Sequence, residues 1–330
     1  MKLFKQLLSL VLIAAFFAVI NIGAYLFMTR KLSANYGDVT QIKMVDVARF
    51  LPFCEESDLA RVDSSFKLTD KDDLPILDGA AALVPIYASV IDSVYPEGCV
   101  MYEGGEFSDD NYYGENFAAD SKMQYKNTVR GYTAIVDGDT DILFCAGPSE
   151  DQKKYAQDNG VELVYVPIGL EAFVFFVNNE NPVDDLTADQ IRSIYEGEYT
   201  SWKDVGGPDR AINPVTRIEG SGSQTMMDRF MGDRKIGKKT PLAFTGGSIG
   251  FSFRYYLDGM IGNDGVKMLS LNGVYPSEEN IKNGTYPVVT QFYAIYRADN
   301  ENPNIKPLIN WLLSDEGQKL IEECGYVGIK

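Results

Sequence analysis

The stretch Arg217-Ile218-Glu219-Gly220-Ser221-Gly222-Ser223-Gln224 constrains this chain most. An apolar, strand-like run over 211–216 delivers the arginine, and 224–231 then reads as the first turns of a helix. A strand, a small-residue turn and a helix in that order aim the first N–H groups of the helix back toward the turn. Those groups have no partner inside the helix, and the helix dipole adds partial positive charge there. The glycines let a ligand approach the backbone. The serine hydroxyls can donate, and the guanidinium presents a planar fork of donors to an oxyanion. Together these features describe an anion site at a helix start. The same letters also describe an ordinary Ser-capped helix beside a surface arginine, so the rest of the chain has to decide.

At 330 residues the chain is long enough for two domains with proper cores. Its beginning differs from the remainder. Lys2 and Lys5 precede an uncharged apolar run over 7–28, and Arg30 and Lys31 close it. About 20 apolar residues span a bilayer, whereas the core of a cleaved signal is about 7–15. No small-x-small cleavage site follows, and the first cysteine is Cys54. Residues 1–31 are therefore expected to form an uncleaved membrane anchor, with a cleaved signal peptide as the alternative.

Of the 30 basic residues four belong to this segment, which leaves 26 against 47 acidic ones, a net −21. A nucleic-acid binder needs a basic footprint, and this body has the opposite. Long-range attraction cannot recruit an anion here, so any anion site must act through short-range, preorganised donors. The chain has no histidine. That removes Ser-His-Asp and Cys-His catalysis and every His-ligated metal site. Gly246-Gly247-Ser248-Ile249-Gly250 has the letters of a nucleophile elbow but no histidine base, and reads as a glycine-rich turn. Asp137, Asp139 and Asp141 resemble the start of an EF-hand loop. Ile142 and Pro148 stand where glycine and glutamate would be required, so calcium is not expected. Cys54, Cys99, Cys145 and Cys324 form no C-x-x-C pair, and Cys145 reads as a buried core thiol. No metal and no cofactor are expected.

Residues 32–72 are mixed and polar and suit a stalk. From there strands and helices alternate. A strand is expected at 74–77 and a helix over 80–95, with Leu83, Ile86, Tyr87, Val90, Ile91 and Val94 on one face. The Gly-, Asp-, Asn- and Tyr-rich 103–116 reads as a loop. A helix over 121–136, a strand over 142–146 and a Ser149-capped helix over 149–159 follow. Strands are expected at 161–166 and 172–177, and Thr187-x-x-Gln190 is a capping box. This order predicts α/β layers with largely parallel sheets. In such sheets ligands bind where strand ends lead into helices. Three turns fit that rule: Asp78-Gly79-Ala80-Ala81-Ala82, Ala146-Gly147-Pro148-Ser149, and the arginine-bearing segment.

From about Leu74 to Lys330 the chain resembles the phosphate-binding component of phosphate ABC transporters, within the type II periplasmic-binding-protein superfamily. The most specific residues are Thr200-Ser201-Trp202-Lys203-Asp204-Val205-Gly206-Gly207 leading into Arg217-x-x-Gly220-Ser221-Gly222-Ser223. Leu186-Thr187-x-x-Gln190-Ile191-x-x-Ile194-Tyr195-x-Gly197 and Trp311-Leu312-Leu313-Ser314-x-Glu316-Gly317-Gln318, with Gly325-Tyr326, support it. The resemblance implies two α/β lobes joined by two hinge strands, with crossings near 166–171 and 286–291. Lobe one would be 73–167 with 288–330, and lobe two 168–287. It implies that Arg217, Ser221, Gly222 and Ser223 hold the anion from lobe two. Ala81 and Ala82 would offer backbone amides from lobe one, and Thr128 and Ser149 would offer hydroxyls.

Two departures from the family stand out. The family aspartate that accepts a phosphate proton should fall near Ala146, where the chain reads Cys145-Ala146-Gly147-Pro148. Glu219 either supplies a substitute acceptor or orients Arg217. The family threonine at the first helix start is Ala81 here, which keeps the amide and loses a hydroxyl. The implied function is a membrane-tethered, extracytoplasmic, monomeric receptor that binds phosphate or a similar oxyanion, performs no chemistry on it and delivers it to an ABC permease. A sensor or adhesion module on the same fold is the alternative, and a metal-dependent phosphate-ester hydrolase ranks last.

Overall fold

The computed structural model describes residues 17–22, 45–69, 71–107, 113–237, 246–261 and 265–330. The chain divides into two units, Met1–Ile42 and Lys43–Lys330. Within the first, residues 17–22 are helical and exposed. The rest of the expected anchor lies outside the described residues. Among the described residues, no helix is long and apolar enough to cross a membrane.

In the second unit the chain runs through β1 (Leu77–Gly79), a 3-10 turn (Ala81–Leu83), α1 (Val84–Val94), a hairpin of β2 (Tyr102–Phe107) and β3 (Tyr113–Phe117), α2 (Asn127–Asp137), β4 (Ile142–Ala146), α3 (Glu150–Asp158) and the long β5 (Leu163–Asn178). Next come β6 (Asp185–Leu186), α4 (Ala188–Glu196), β7 (Asn213–Pro214), α5 (Gly222–Met231), β8 (Ser248–Phe253), β9 (Val266–Met268), β10 (Ser270–Leu271) and α6 (Glu278–Lys282). The chain finishes with β11 (Val289–Arg297), α7 (Ile305–Leu312) and α8 (Asp315–Glu323).

One sheet runs through the body in the order β1-β4-β11-β5-β8-β7, with β9 also paired to β5. Among the described residues only β1–β4 and β7–β8 are parallel within it; β11 runs antiparallel to both β4 and β5, and β5 runs antiparallel to β8. The sheet is therefore mixed, not largely parallel as the alternation predicts. The cause is β11, which returns from the far end of the molecule and inserts between β4 and β5.

Strand β4 is buried along its whole length. Ile142 and Phe144 join a core built on α1, α7 and α8, while Leu143 and Cys145 face a smaller one with Tyr132 and Ile135 of α2. That period-two split is what helices on both faces of a sheet require. A second large core gathers Phe173, Val174 and Phe175 of β5 with Ile191, Ile194, Tyr195, Trp202, Met227, Phe230 and Phe251.

β5 joins the two large cores. Its first part pairs with β11, from Leu163↔Arg297 to Ala172↔Val289, and its last part with β8, from Phe173↔Phe253 to Val177↔Ile249. Pro167 and Gly169 make this segment read as two strands. The register shifts at Phe292/Tyr293, opposite Pro167 and Gly169, so the irregularity is absorbed as a bulge. A Cβ on Gly169 would come within 2.2 Å of the Phe292 ring, so any larger residue must displace the ring or the strand.

Other expectations change for local reasons. Residues 45–69 fall in the expected stalk, yet Val45, Val47, Phe50, Leu59 and Leu68 are buried in the first core. Their irregular spacing carries no helix or strand period. The expected loop 103–116 contains the β2–β3 hairpin. α2 starts at Asn127, not near 121. Leu77 N–H donates to Lys122 O and Gln124 N–H to Leu77 O, which holds that stretch extended alongside β1.

Candidate anion site

The N-terminus of α5 closes on itself. Ser221 Oγ accepts from Gln224 N–H at 3.3 Å, and Gln224 Oε1 accepts from Arg217 N–H at 2.9 Å. Gly220 turns the chain with φ of +76°, a left-handed conformation that favours glycine. With Ser221 as cap, the N–H groups of Gly222 and Ser223 lead the helix, and neither has a partner among the described residues. A buried helix start whose amides lack partners calls for an acceptor from outside the helix.

The helix start faces the end of β4 and the start of α2. A Cβ on Gly222 would lie 3.7 Å from Thr128 Oγ1, 3.8 Å from Ala146 Cβ and 3.5 Å from Phe253 Cε2. Thr128 and Gly222 are both buried. The Arg217 guanidinium is half-buried and donates to the Tyr256 hydroxyl oxygen. Burial pushes the Tyr256 phenol up, and Arg217 offsets part of that rise. No described carboxylate pairs with Arg217, so its charge remains available to an anion.

The other side of the site is built on Asp78 at the end of β1. Its Oδ1 accepts from Gly79 N–H at 2.7 Å and from Lys126 N–H at 2.9 Å. Burial pushes this carboxyl up to about 6, against the pull of Lys126, Gly79 and Thr140. Asp78 thereby ties the 3-10 turn at Ala81 to the start of α2. Asn127 follows with φ of +59°. Its Oδ1 accepts from Thr128 N–H at 2.7 Å and from Ala81 N–H at 3.4 Å. The Ala81 amide is thus engaged within the protein. The Ala82 N–H has no partner among the described residues, while Ala82 O accepts from the Tyr326 hydroxyl. Burial pushes the Cys145 thiol beside Thr128 up to about 12.

The structure therefore gathers Thr128, Gly222 and Ala146, with Phe253 beside them. Ser149 is committed elsewhere: its Oγ accepts from Gln152 N–H at 3.3 Å and its own N–H donates to Gln152 Oε1 at 2.8 Å. Glu219 lies exposed on the turn before α5. Asn127, Asp78 and Tyr256 escape sequence reasoning. Tyr256 sits in an aromatic run without a motif, and the roles of Asn127 and Asp78 emerge only when β1 and α2 are brought together. All four cysteines are free. Among the described residues no group of three or more Cys, Asp or Glu side chains is placed to hold a metal.

Two cores bridged by one mixed sheet, with the start of α5 against Thr128 and Ala146, are the setting of the site. Residues 109–316 match the PBP superfamily domain, and the chain belongs to that superfamily. Among curated relatives, the phosphate-binding protein PstS of Bacillus subtilis is 25% identical over 233 residues, covering 67% of this chain and 75% of that protein. The protein of the same name from Staphylococcus epidermidis is 27% identical over 220 residues, 61% of this chain and 67% of that one. That of Borreliella burgdorferi is 27% identical over 181 residues, 48% and 64%. The matched stretch thus spans between 64% and 75% of these relatives' length. Two solved structures share the fold: a phosphate ABC transporter substrate-binding protein with bound phosphate from Clostridium perfringens, with a TM-score of 0.58, and an ABC-type phosphate transport receptor from Vibrio cholerae, with 0.54. Each is 21% identical and covers 77% of this chain and 99% of its own.

Proposed function

We propose that this protein is an extracytoplasmic receptor for inorganic phosphate that hands its ligand to an ABC permease. The observation that carries this reading is the free start of α5, with Arg217 before it and Thr128 and Ala146 opposite. The relatives named phosphate-binding protein PstS support it. The anion is held by Arg217, the amides of Gly222 and Ser223, the Ser221 and Ser223 hydroxyls, Thr128 Oγ1 and the Ala82 amide. These are short, charge-assisted bonds made by a preformed site, and such bonds do not need a favourable net charge on the protein. Lobe one comprises 73–167 with 288–330 and lobe two 168–287. Residues 1–31 tether the body to the membrane, and the protein acts as a monomer without chemistry on the ligand.

A second reading, a receptor for a fully ionised oxyanion, is favoured by one feature. Ala146 presents a methyl group where a carboxylate would reject such an ion. Glu219, exposed on the turn, would have to swing inward to act as a proton acceptor. Calorimetric titration with phosphate and with sulfate, from pH 5 to 8.5, separates the two readings. Phosphate binding that Arg217→Ala abolishes, with an unchanged circular dichroism spectrum, is the expected result. Equal binding by the variant refutes the site, and preferential binding of sulfate replaces the first reading by the second.

A further inference from the structure

We propose that Arg229 and Gln152 form a latch across the cleft, separate from the anion contacts, that sets how long the bound anion stays. The proposal rests on the reading of α5 as the anion-holding helix. Two hydrogen bonds tie the segment around α5 to the turn between β4 and α3 and to the first turn of α3. At one end, Gln152 Nε2 donates to Gly220 O at 3.1 Å. At the other, Arg229 Nη2 donates to Pro148 O at 2.6 Å, while its Nη1 rests against Met226 Sδ at 3.7 Å. The two ties are separated by about 13 Å of chain at helical rise, so they hold α5 at both ends against the other lobe.

The partners are prepared for this contact. Gln152 is fixed by its capping box, because its Oε1 already accepts from Ser149 N–H at 2.8 Å, which leaves Nε2 pointing away from its own helix. Ser149 thus contributes through Gln152 and not by direct contact with the anion. Gly147 leaves room for the guanidinium: a Cβ there would lie 3.2 Å from Arg229 Nη1 and 3.4 Å from Nη2. Gly147 has no left-handed φ, so its missing side chain serves the close approach and not a backbone need. Gly220 is likewise close to the other lobe, with its Cβ position 3.6 Å from Val129 Cγ2.

A charged donor on a carbonyl, together with a neutral amide bond, stabilises the closed arrangement whether or not an anion is present. Affinity for an anion scales with the closed fraction. Loss of the latch should shorten residence without altering the anion contacts.

The test uses the full-length chain and inorganic phosphate, read by stopped-flow kinetics and by small-angle scattering of the ligand-free protein. Arg229→Met and Gly147→Ala should each raise the phosphate dissociation rate about three- to tenfold with little change in the association rate. Each should also increase the ligand-free radius of gyration. The double variant should be no worse than Arg229→Met alone, since Gly147→Ala acts only by crowding the Arg229 guanidinium. Arg229→Gln, which keeps a donor without the charge, should restore part of the residence time. Dissociation rates and radii within error of wild type in both single variants would overturn the latch. A purely structural role for Arg229 predicts a lowered melting temperature with unchanged dissociation, and that outcome also overturns it. If wild type does not bind phosphate, the anion reading fails, and the scattering comparison alone decides whether the latch exists.

Discussion

Ala146 is the side chain most able to change what this site accepts. It ends β4 with its Cβ 3.8 Å from the Cβ position of Gly222, inside the wall that faces the helix start. A carboxylate placed there would repel an anion that carries no proton and pair with one that does. Ala146→Asp should therefore weaken sulfate at every pH and leave phosphate bound from pH 6 to 8, where both of its ionic forms still carry a proton for the new carboxylate. Titration calorimetry of both anions checks this, and sulfate affinity equal to wild type would show that the methyl group does not face the anion. Arg217, Ser221, Gly222 and Ser223 are legible in the sequence because an anion site at a helix start uses consecutive residues. Asn127 is not legible: its importance lies in one carboxamide oxygen shared by Thr128 N–H and by Ala81 N–H, 46 positions away. Ser149 illustrates the converse. Its letters mark a helix start correctly, but the capping box engages both its N–H and its Oγ.

β5 and β11 are the paired strands that carry residues of both large cores, so an opening of one core against the other must bend them. At the bulge, the Phe292 ring occupies the space where a Gly169 side chain would be. Gly169→Ala would set a methyl group within 2.2 Å of that ring, so the two strands must part locally. Overpacking of this kind costs about 1–3 kcal/mol. We expect a lowered denaturation midpoint and, since the strain falls on the crossing strands, a changed ligand-free radius of gyration. An unaltered midpoint would mean that the ring moves aside freely. The helices α3, α4 and α5 are readable from their caps, since Ser149, Thr187 and Ser221 all accept from the backbone three residues on. The continuity of β5 is hidden because Pro167 and Gly169 are strand breakers until a partner supplies a bulge. Residues 45–69 are hidden for another reason: they have no regular period, and only the pocket they fill selects Val47 and Phe50.

The pH response of the folded body follows from two buried carboxyls and from the absence of histidine. Burial pushes Asp78 up to about 6 and Glu171 up to about 7, the latter against the pull of Arg254, whose Nε lies 3.7 Å away. Both groups hold a proton in the folded state to higher pH than in the unfolded chain. Their stabilising contribution is complete below their ordinary values of 3.8 and 4.5, and is lost as pH rises through about 6 and 7. With no histidine to titrate in that window, thermal stability should fall between about pH 4 and 7. The slope is about 1.4 kcal/mol per pH unit for each group at its steepest. Asp78→Asn should flatten the lower half of that slope and Glu171→Gln the upper half, as read from melting temperatures across the range. A wild-type profile that rises over this window would refute the assignment. This coupling is not visible in the sequence, where Asp78 is one of 47 acidic residues and reads as a turn former.

The position of β11 has a consequence for the order of assembly. It is the last strand of the chain, yet it lies between β4 and β5. The second core draws almost all its residues from 172–286, with Val327 the late addition, and can largely form once that stretch has been synthesised. The first core must wait, with the facing edges of β4 and β5 unpaired, until 289–297 arrives to fill the gap and α7 and α8 follow to cover it. The middle of the polypeptide thus matures before its beginning. The interval in which those two strand edges stand open is when a nascent chain is most exposed to mispairing.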